Sequence, residues 1–85
     1  MEKMMYYSSK DLCGDEKVVA RSYRTSDGFI FDKGTRFENK DPVSGLHHFF
    51  VISSTVCESE KDLSYHIKQL KKDFKNISVT EEYYR

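Results

Sequence analysis

The chain has 85 residues, 38% of them hydrophobic, and its 14 basic side chains balance 14 acidic ones. This length allows one small core, and six Phe and six Tyr argue against disorder. Because the charges balance, we expect no general attraction to nucleic acid or to an anionic membrane. No apolar run approaches the roughly 18 residues of a membrane span, and the start of the chain, MEKMMYYSSK, is not a secretory signal. We expect one cytoplasmic domain over residues 1–85 without membrane contact.

The first 16 residues have two interpretations. KMMYY, residues 3–7, fits a short strand or an ordered arm, whereas SSKDLCGDE, residues 8–16, is rich in turn formers and indicates a loop. Residues 1–16 are therefore treated as an N-terminal arm, either irregular or containing a first strand.

Residues 17–38 have the pattern of a hairpin. KVVARSYRT, residues 17–25, is β-branched and aromatic, and Ser-Asp-Gly follows at residues 26–28, where Asp-Gly is a strong hairpin signal. Phe29 begins the returning strand. Gly34 predicts a second turn or a bulge in that strand, because glycine adopts a positive φ at little cost.

The most apolar stretch is GLHHFFVISS, residues 45–54, which follows a loop containing the only proline. Alternation along a strand places its side chains in two sets. The more apolar set should meet the core, and because the other set is half apolar we expect a central strand, covered in part on both sides. The first set is Leu46, Phe50, Ile52 and Val56, and the second is His47, Phe49, Val51, Ser53 and Thr55.

Residues 59–75, SEKDLSYHIKQLKKDFK, predict an amphipathic helix. Ser59 with Asp62 resembles a capping box. Asn76 suits the left-handed end of a helix, and the alternation after it predicts a final strand. Leu70 should meet Ile52 in the core. The apolar stripe of the helix, with spacings of four, three and four, is Leu63, Ile67, Leu70 and Phe74.

The predicted fold class is α+β. A three-stranded meander plus a C-terminal strand predicts a small antiparallel sheet with one amphipathic helix on a face, or the same sheet coiled towards an open barrel. Residues 18–54, VVARSYRTSDGFIFDKGTRFE…HHFFVISS, resemble the first half of an SH3-like barrel, with its aliphatic-Tyr strand, Lys-Gly turn and aromatic pair. The chain lacks the tryptophan and the later Pro-Tyr segment of that family's peptide groove, so the resemblance implies no ligand.

Histidines and cysteines offer little evidence of catalysis. His47 and His48 point to opposite faces of a strand, so they do not bind one metal ion together and are interpreted as the rim of a buried strand. Cys57 lies near the helix N-terminus, where a thiol pKa can be lowered, but no signature of a Cys–His nucleophile accompanies it. We expect free thiols at Cys13 and Cys57, no enzyme, no cofactor and no metal. A hydrolase or nuclease built on His48, His66 and Cys57 is the least favoured alternative.

Two groups of residues are candidates for partner contacts. A basic stripe opposite the apolar one suits phosphates or an acidic protein, unless it is only a solvated face. The first hairpin adds basic and aromatic residues of the kind that stack on RNA or single-stranded DNA. The stripe is Lys61, Tyr65, Lys68, Lys72 and Lys75, and the hairpin adds Arg21, Tyr23, Arg24 and Arg36.

Tyrosines gather at both termini as Tyr6–Tyr7 and Tyr83–Tyr84. One of each pair should pack inward while the other is exposed, as at protein interfaces. We therefore expect a small non-enzymatic binding module that docks to a protein as an inhibitor or regulatory accessory, of phage or mobile-element origin. The alternative is a nucleic-acid-binding domain that uses the basic helix face and the first hairpin, and self-association is left open. The candidate contact residues are Tyr65, Lys68, Lys72, Lys75, Tyr83, Tyr84, Arg21, Tyr23 and Arg24.

Overall fold

In the computed structural model, the described residues, 2–84, form a five-stranded antiparallel sheet and one helix, and of Glu2 and Tyr84 only the backbone is described. The order across the sheet is β4-β3-β2-β1-β5, and the sheet is not closed. The predicted α+β fold is confirmed. Of the two interpretations of residues 1–16, the one that contains a first strand is correct. The elements are β1 (Glu2–Lys10), β2 (Glu16–Thr25), β3 (Gly28–Lys40), β4 (His47–Cys57), α1 (Glu60–Asp73) and β5 (Ile77–Tyr84).

The N-terminal segment is a strand inside the sheet and not an irregular arm. β1 pairs with β2 on one side and with β5 on the other. Alternation places Met4 and Tyr6 on one face and Met5 and Tyr7 on the other, and both faces pack into apolar clusters. Both Tyr6 and Tyr7 are buried, so the expectation that one of them is exposed is wrong. Apolar residues on both faces are what a covered, interior strand requires.

The helix begins at Glu60, directly after its predicted N-cap, Ser59. The Ser59 side chain accepts a hydrogen bond from the backbone N–H of Asp62 at 3.3 Å, which satisfies one of the free donors of the first turn. Phe74 already has an extended backbone, so Lys75 lies beyond the helix and not on its stripe. Asn76 has the predicted left-handed conformation, with φ of 56°, but it lies two residues beyond the C-cap, Phe74, and does not itself end the helix.

One face of the sheet, which we call the helix face, is covered by α1. Leu70 is completely buried there, and the flanking Leu63 and Ile67 are partly buried, as the apolar stripe predicted. Phe74 remains partly exposed at the helix end. The buried cluster on this face consists of Tyr7, Ala20, Phe31, Cys57 and Leu70.

The other face, which we call the curled face, is covered by the end of the β3–β4 hairpin. The guanidinium of Arg36 lies 4.8 Å from the centre of the Tyr6 ring. Arg36 and His47 also approach the carboxylate of Glu82 in β5, at 3.7 and 3.6 Å. Because β2 and β1 separate β3 from β5 in the sheet, these contacts require strong curvature. Phe49 packs from the hairpin against the cluster on this face, which consists of Met4, Tyr6 and Val18.

Gly34 lies where β3 begins to extend beyond β2. The register of β3 against β4 shifts between Lys33 and Gly34, where a turn or bulge was predicted, but the extra residue is Ile52 of β4 and Gly34 does not have the positive φ expected of it. A Cβ at Gly34 would collide with the carbonyl oxygen of Phe50 in the paired strand. The absence of a side chain at this position therefore allows the close approach of the two strands.

β4 is an edge strand and not the predicted central strand. Among the described strands it pairs with β3 alone, and Ile52, expected in the core, is 74% exposed. The predicted division into two faces is wrong as well, because the bulge interrupts the alternation: Leu46 of the first set and Phe49 of the second pack against the same core cluster. Ile52 sits at the bulge, between the paired residues Val51 and Ser53. Strand order and bulge position decide which side chains are covered, and neither follows from alternation.

Truncation of Leu70 and Ile52 tests this core. We expect Leu70→Ala to lower the free energy of unfolding by about 2–5 kcal/mol, as large-to-small changes in a core do. The same truncation at exposed Ile52 should change it by less than about 0.5 kcal/mol. Urea denaturation followed by circular dichroism measures both. A costly Ile52→Ala, or a neutral Leu70→Ala, would contradict the described packing.

Candidate functional site

A buried ion pair joins β2 and β3 on the curled face. Arg21 Nε donates to Asp32 Oδ2 at 2.9 Å, and the Ser54 hydroxyl donates to Oδ1 at 2.6 Å. Asp32 is only 2% exposed. The Arg21 guanidinium lies 4.4 Å from the ring centre of Phe49 and 5.7 Å from that of Tyr23. Arg21, predicted as a partner contact, is therefore occupied within the fold.

The other hairpin candidates do not share a surface. Tyr23 is partly buried against the cluster on the curled face. Arg24 is exposed and borders a cavity of about 380 Å³ on the helix face, together with Phe29 and Leu63. The structure thus does not assemble the predicted basic and aromatic surface on the first hairpin.

The basic surface of the helix is present. Tyr65 is exposed, and its ring meets His66 edge-on, with 5.5 Å between the ring centres. Lys61, Lys68 and Lys72 are exposed, and within residues 2–84 none of them forms an ion pair. We call Lys61, Tyr65, Lys68 and Lys72 the basic helix surface. Exposed Lys75 follows the helix end, and its carbonyl oxygen accepts a hydrogen bond from the Ser9 hydroxyl.

The C-terminal tyrosines are only partly described. Tyr83 is exposed, and its hydroxyl donates to a carboxylate oxygen of Glu81 at 3.3 Å. The side chain of Tyr84 lies outside the described residues. Tyr83 is thus the one terminal tyrosine that the structure describes as surface.

The histidines and cysteines are dispersed. His47 donates from Nδ1 to the backbone carbonyl of Phe37 at 2.9 Å, and the ring of His66 stacks on Phe31 with 5.9 Å between centres. Cys13 is exposed in the β1–β2 turn. Burial, with a smaller effect from the Asp62 carboxylate, raises the pKa of the Cys57 thiol. This is the reverse of the lowering that its place near a helix N-terminus suggested. Across residues 2–84, no three His, Cys, Asp or Glu side chains are placed to hold a metal ion.

The free edge of β4 is a candidate interaction surface that the sequence did not reveal. No described strand pairs with its outer side, so backbone N–H and C=O groups point outward there. The strand, HHFFVISSTVC, has no proline and no Asp, Glu, Lys or Arg. Phe50 and Val56 are 57% and 66% exposed, and Val51 is exposed beside Ile52. We call the outer side of β4 and these four residues the β4 edge.

Apolar side chains flank the β4 edge on both faces of the sheet. Ile52 borders a cavity of about 390 Å³ on the helix face, together with Val19 and Phe74. Phe50 alternates with Phe49, which lies on the curled face, so Phe50 also belongs to the helix face.

The curled face has its own exposed residue at this edge. Val56 is paired with Ile30, which is paired with Tyr23 of the curled face, and directly paired residues share a face. A strand added to the β4 edge would therefore find apolar contacts above and below it.

The opposite edge of the sheet, β5, differs in charge. It carries Glu81 and Glu82 in its middle, and Glu81 lies 3.8 Å from the ammonium of Lys3. Val79 and Tyr83 are exposed apolar residues on this strand. Charged residues are a usual means of preventing strand addition at an edge. β4 lacks that protection and has only its bulge.

Comparisons with protein-family models, with curated proteins and with solved structures find no match to the chain. Within the described residues, the one helix is too short and too polar to cross a membrane. Geometry and charge distinguish two candidate surfaces, the β4 edge and the basic helix surface.

Mutation of the buried ion pair tests the structural role of Arg21. We expect Asp32→Ala to lower the free energy of unfolding by about 3–5 kcal/mol, because it leaves the mostly buried guanidinium without its partner. The double variant Arg21→Met/Asp32→Leu should regain most of this loss, because apolar replacement of both partners is often neutral. Chemical denaturation of both variants measures the difference. A single variant with wild-type stability would show that the pair is not needed.

Proposed function

We propose that this protein is a non-enzymatic binding module that docks a protein partner by strand addition at the β4 edge. The observation that carries the proposal is an uncharged edge strand of 11 residues that keeps exposed apolar side chains on both faces. In strand addition, main-chain hydrogen bonds provide affinity and alternate side chains provide specificity. The β4 edge offers both kinds of contact.

The side chains around the edge define what the partner must present. Phe50 and Ile52 on the helix face, and Val56 on the curled face, would contact alternate side chains of an added strand. Apolar residues on both sides of the partner strand would bury these groups, and burial of apolar surface is the main favourable contribution to association. By covering part of its partner's surface, the module would act as an inhibitor or a regulatory accessory.

Peptide selection tests strand addition. We expect peptides selected from a random library on the immobilised protein to shift backbone amide resonances of β4. Ile52→Lys should weaken their binding at least tenfold, about 1.4 kcal/mol, since lysine at an edge opposes pairing. Val79→Lys, the same change on the β5 edge, is the matched control and should leave the affinity unchanged. Peptides that bind Ile52→Lys as well as the wild type would refute the proposal.

Nucleic-acid binding is the second candidate function, and the free lysines of the basic helix surface favour it. A surface that tracks phosphates releases counterions, so its affinity falls steeply with added salt. Single strands would also stack on exposed Tyr65. Against it, the structure does not bring Arg21 and Tyr23 to this surface.

Reversal of the helix charges separates the two candidates. Under the protein-docking proposal, we expect no salt-sensitive binding to single-stranded or duplex nucleic acid that is tighter than non-specific binding, whose dissociation constants are about 10⁻⁴–10⁻⁶ M. Fluorescence anisotropy across a salt series measures this. Tighter, salt-sensitive binding that disappears in the triple variant Lys61→Glu/Lys68→Glu/Lys72→Glu, with selected peptides still bound, would support the second function.

A further inference from the structure

We infer that the partner at the β4 edge is a second copy of this chain, paired antiparallel about a twofold axis between Ile52 and Ser53. The inference rests on the proposed function, because it names the strand that β4 accepts. In such an interface the same surface serves on both copies, so every contact must be favourable between residues of one strand.

The charge pattern favours self-pairing of β4. No Asp, Glu, Lys or Arg occurs in residues 46–57, so pairing with its own copy creates no contact between like charges along the strand. The β5 edge would place Glu81 and Glu82 close to the same residues of the second copy. Of the two free edges, β4 is thus the one suited to pairing with itself.

The bulge determines where the twofold axis can lie. Directly paired residues share a face, and the extra residue Ile52 interrupts the alternation of faces along β4. With the axis between Ile52 and Ser53, Phe50 lies against Thr55 of the second copy, and both residues belong to the helix face. An axis at Ile52 itself would place Phe50 against a residue of the curled face.

Complete covering of the exposed apolar residues reaches the lower size limit of a specific interface. A twofold axis perpendicular to the sheet keeps the helix faces of both copies on one side, so Phe50 and Phe74 of each copy extend one apolar strip. The exposed apolar residues near the edge each leave on the order of 100 Å² in water, about half of what an aromatic side chain buries. Covering them on two copies removes about 1,000 Å², the size that a specific interface must reach. These residues are Phe50, Val51, Ile52, Val56 and Phe74.

Sedimentation and hydrogen exchange test the dimer. At high micromolar concentration we expect a species of about twice the 10.0 kDa chain mass. Ile52→Lys should weaken dimerisation at least tenfold by placing two ammonium groups beside the axis, and Val79→Lys should leave it unchanged. Because Ile52 is mostly exposed, the variant keeps its fold. In the wild-type protein, protection of β4 amides should rise with concentration while that of β5 amides does not.

A chain that stays monomeric at these concentrations, or a dimer that survives Ile52→Lys, overturns the inference. So does concentration-dependent protection at β5 in place of β4. If the monomeric chain still binds selected peptides at the β4 edge, the proposed function stands and only the identity of the partner is wrong. If neither peptides nor a second copy bind there, the proposed function fails with it.

Discussion

The rest of this structure depends on one constraint, which is that the five-stranded sheet has two apolar faces while residues 2–84 form one helix. The helix covers the face that carries Tyr7, and its Leu70 side chain packs into the cluster there. Met4 and Tyr6 on the other face are covered because the β3–β4 hairpin curls back over them. A sheet this short buries a second cluster only by such curvature, and the missing side chain at Gly34 permits the close strand approach within the hairpin.

The curvature also determines what happens to the charges of the hairpins. It places Phe49 over Arg21, so the ion pair of Arg21 with Asp32 lies in a largely dry environment. Both carboxylate oxygens of Asp32 receive a hydrogen bond, which offsets the desolvation of the pair. At the far end of the hairpin, Arg36 is held near Glu82 of β5. Basic residues that appeared available to a phosphate therefore stabilise the fold, and the free lysines of the described surface include those of the helix.

The same arrangement leaves only some of the β4 side chains in contact with a core. Phe49 belongs to the curled core, whereas Phe50, Ile52 and Val56 stay in solvent. Because β5 pairs with β1 and not with β4, the sheet ends in an uncharged strand. Exposed apolar residues beside unpaired backbone groups favour contact with another strand. The proposed docking function and the proposed second copy both follow from this incomplete covering.

The elements themselves are local, and the sequence by itself determined them. The Ser59 cap, the stripe through Leu70 and the left-handed Asn76 depend on a residue and its near neighbours, and all three are found. Only the tertiary structure decided which strands lie at the edges. Pairing of β5 with β1 joins residues more than 65 positions apart, and nothing in either strand encodes that choice. For this reason alternation predicted a central β4 and a buried Ile52, whereas Ile52 lies in an edge strand and is exposed.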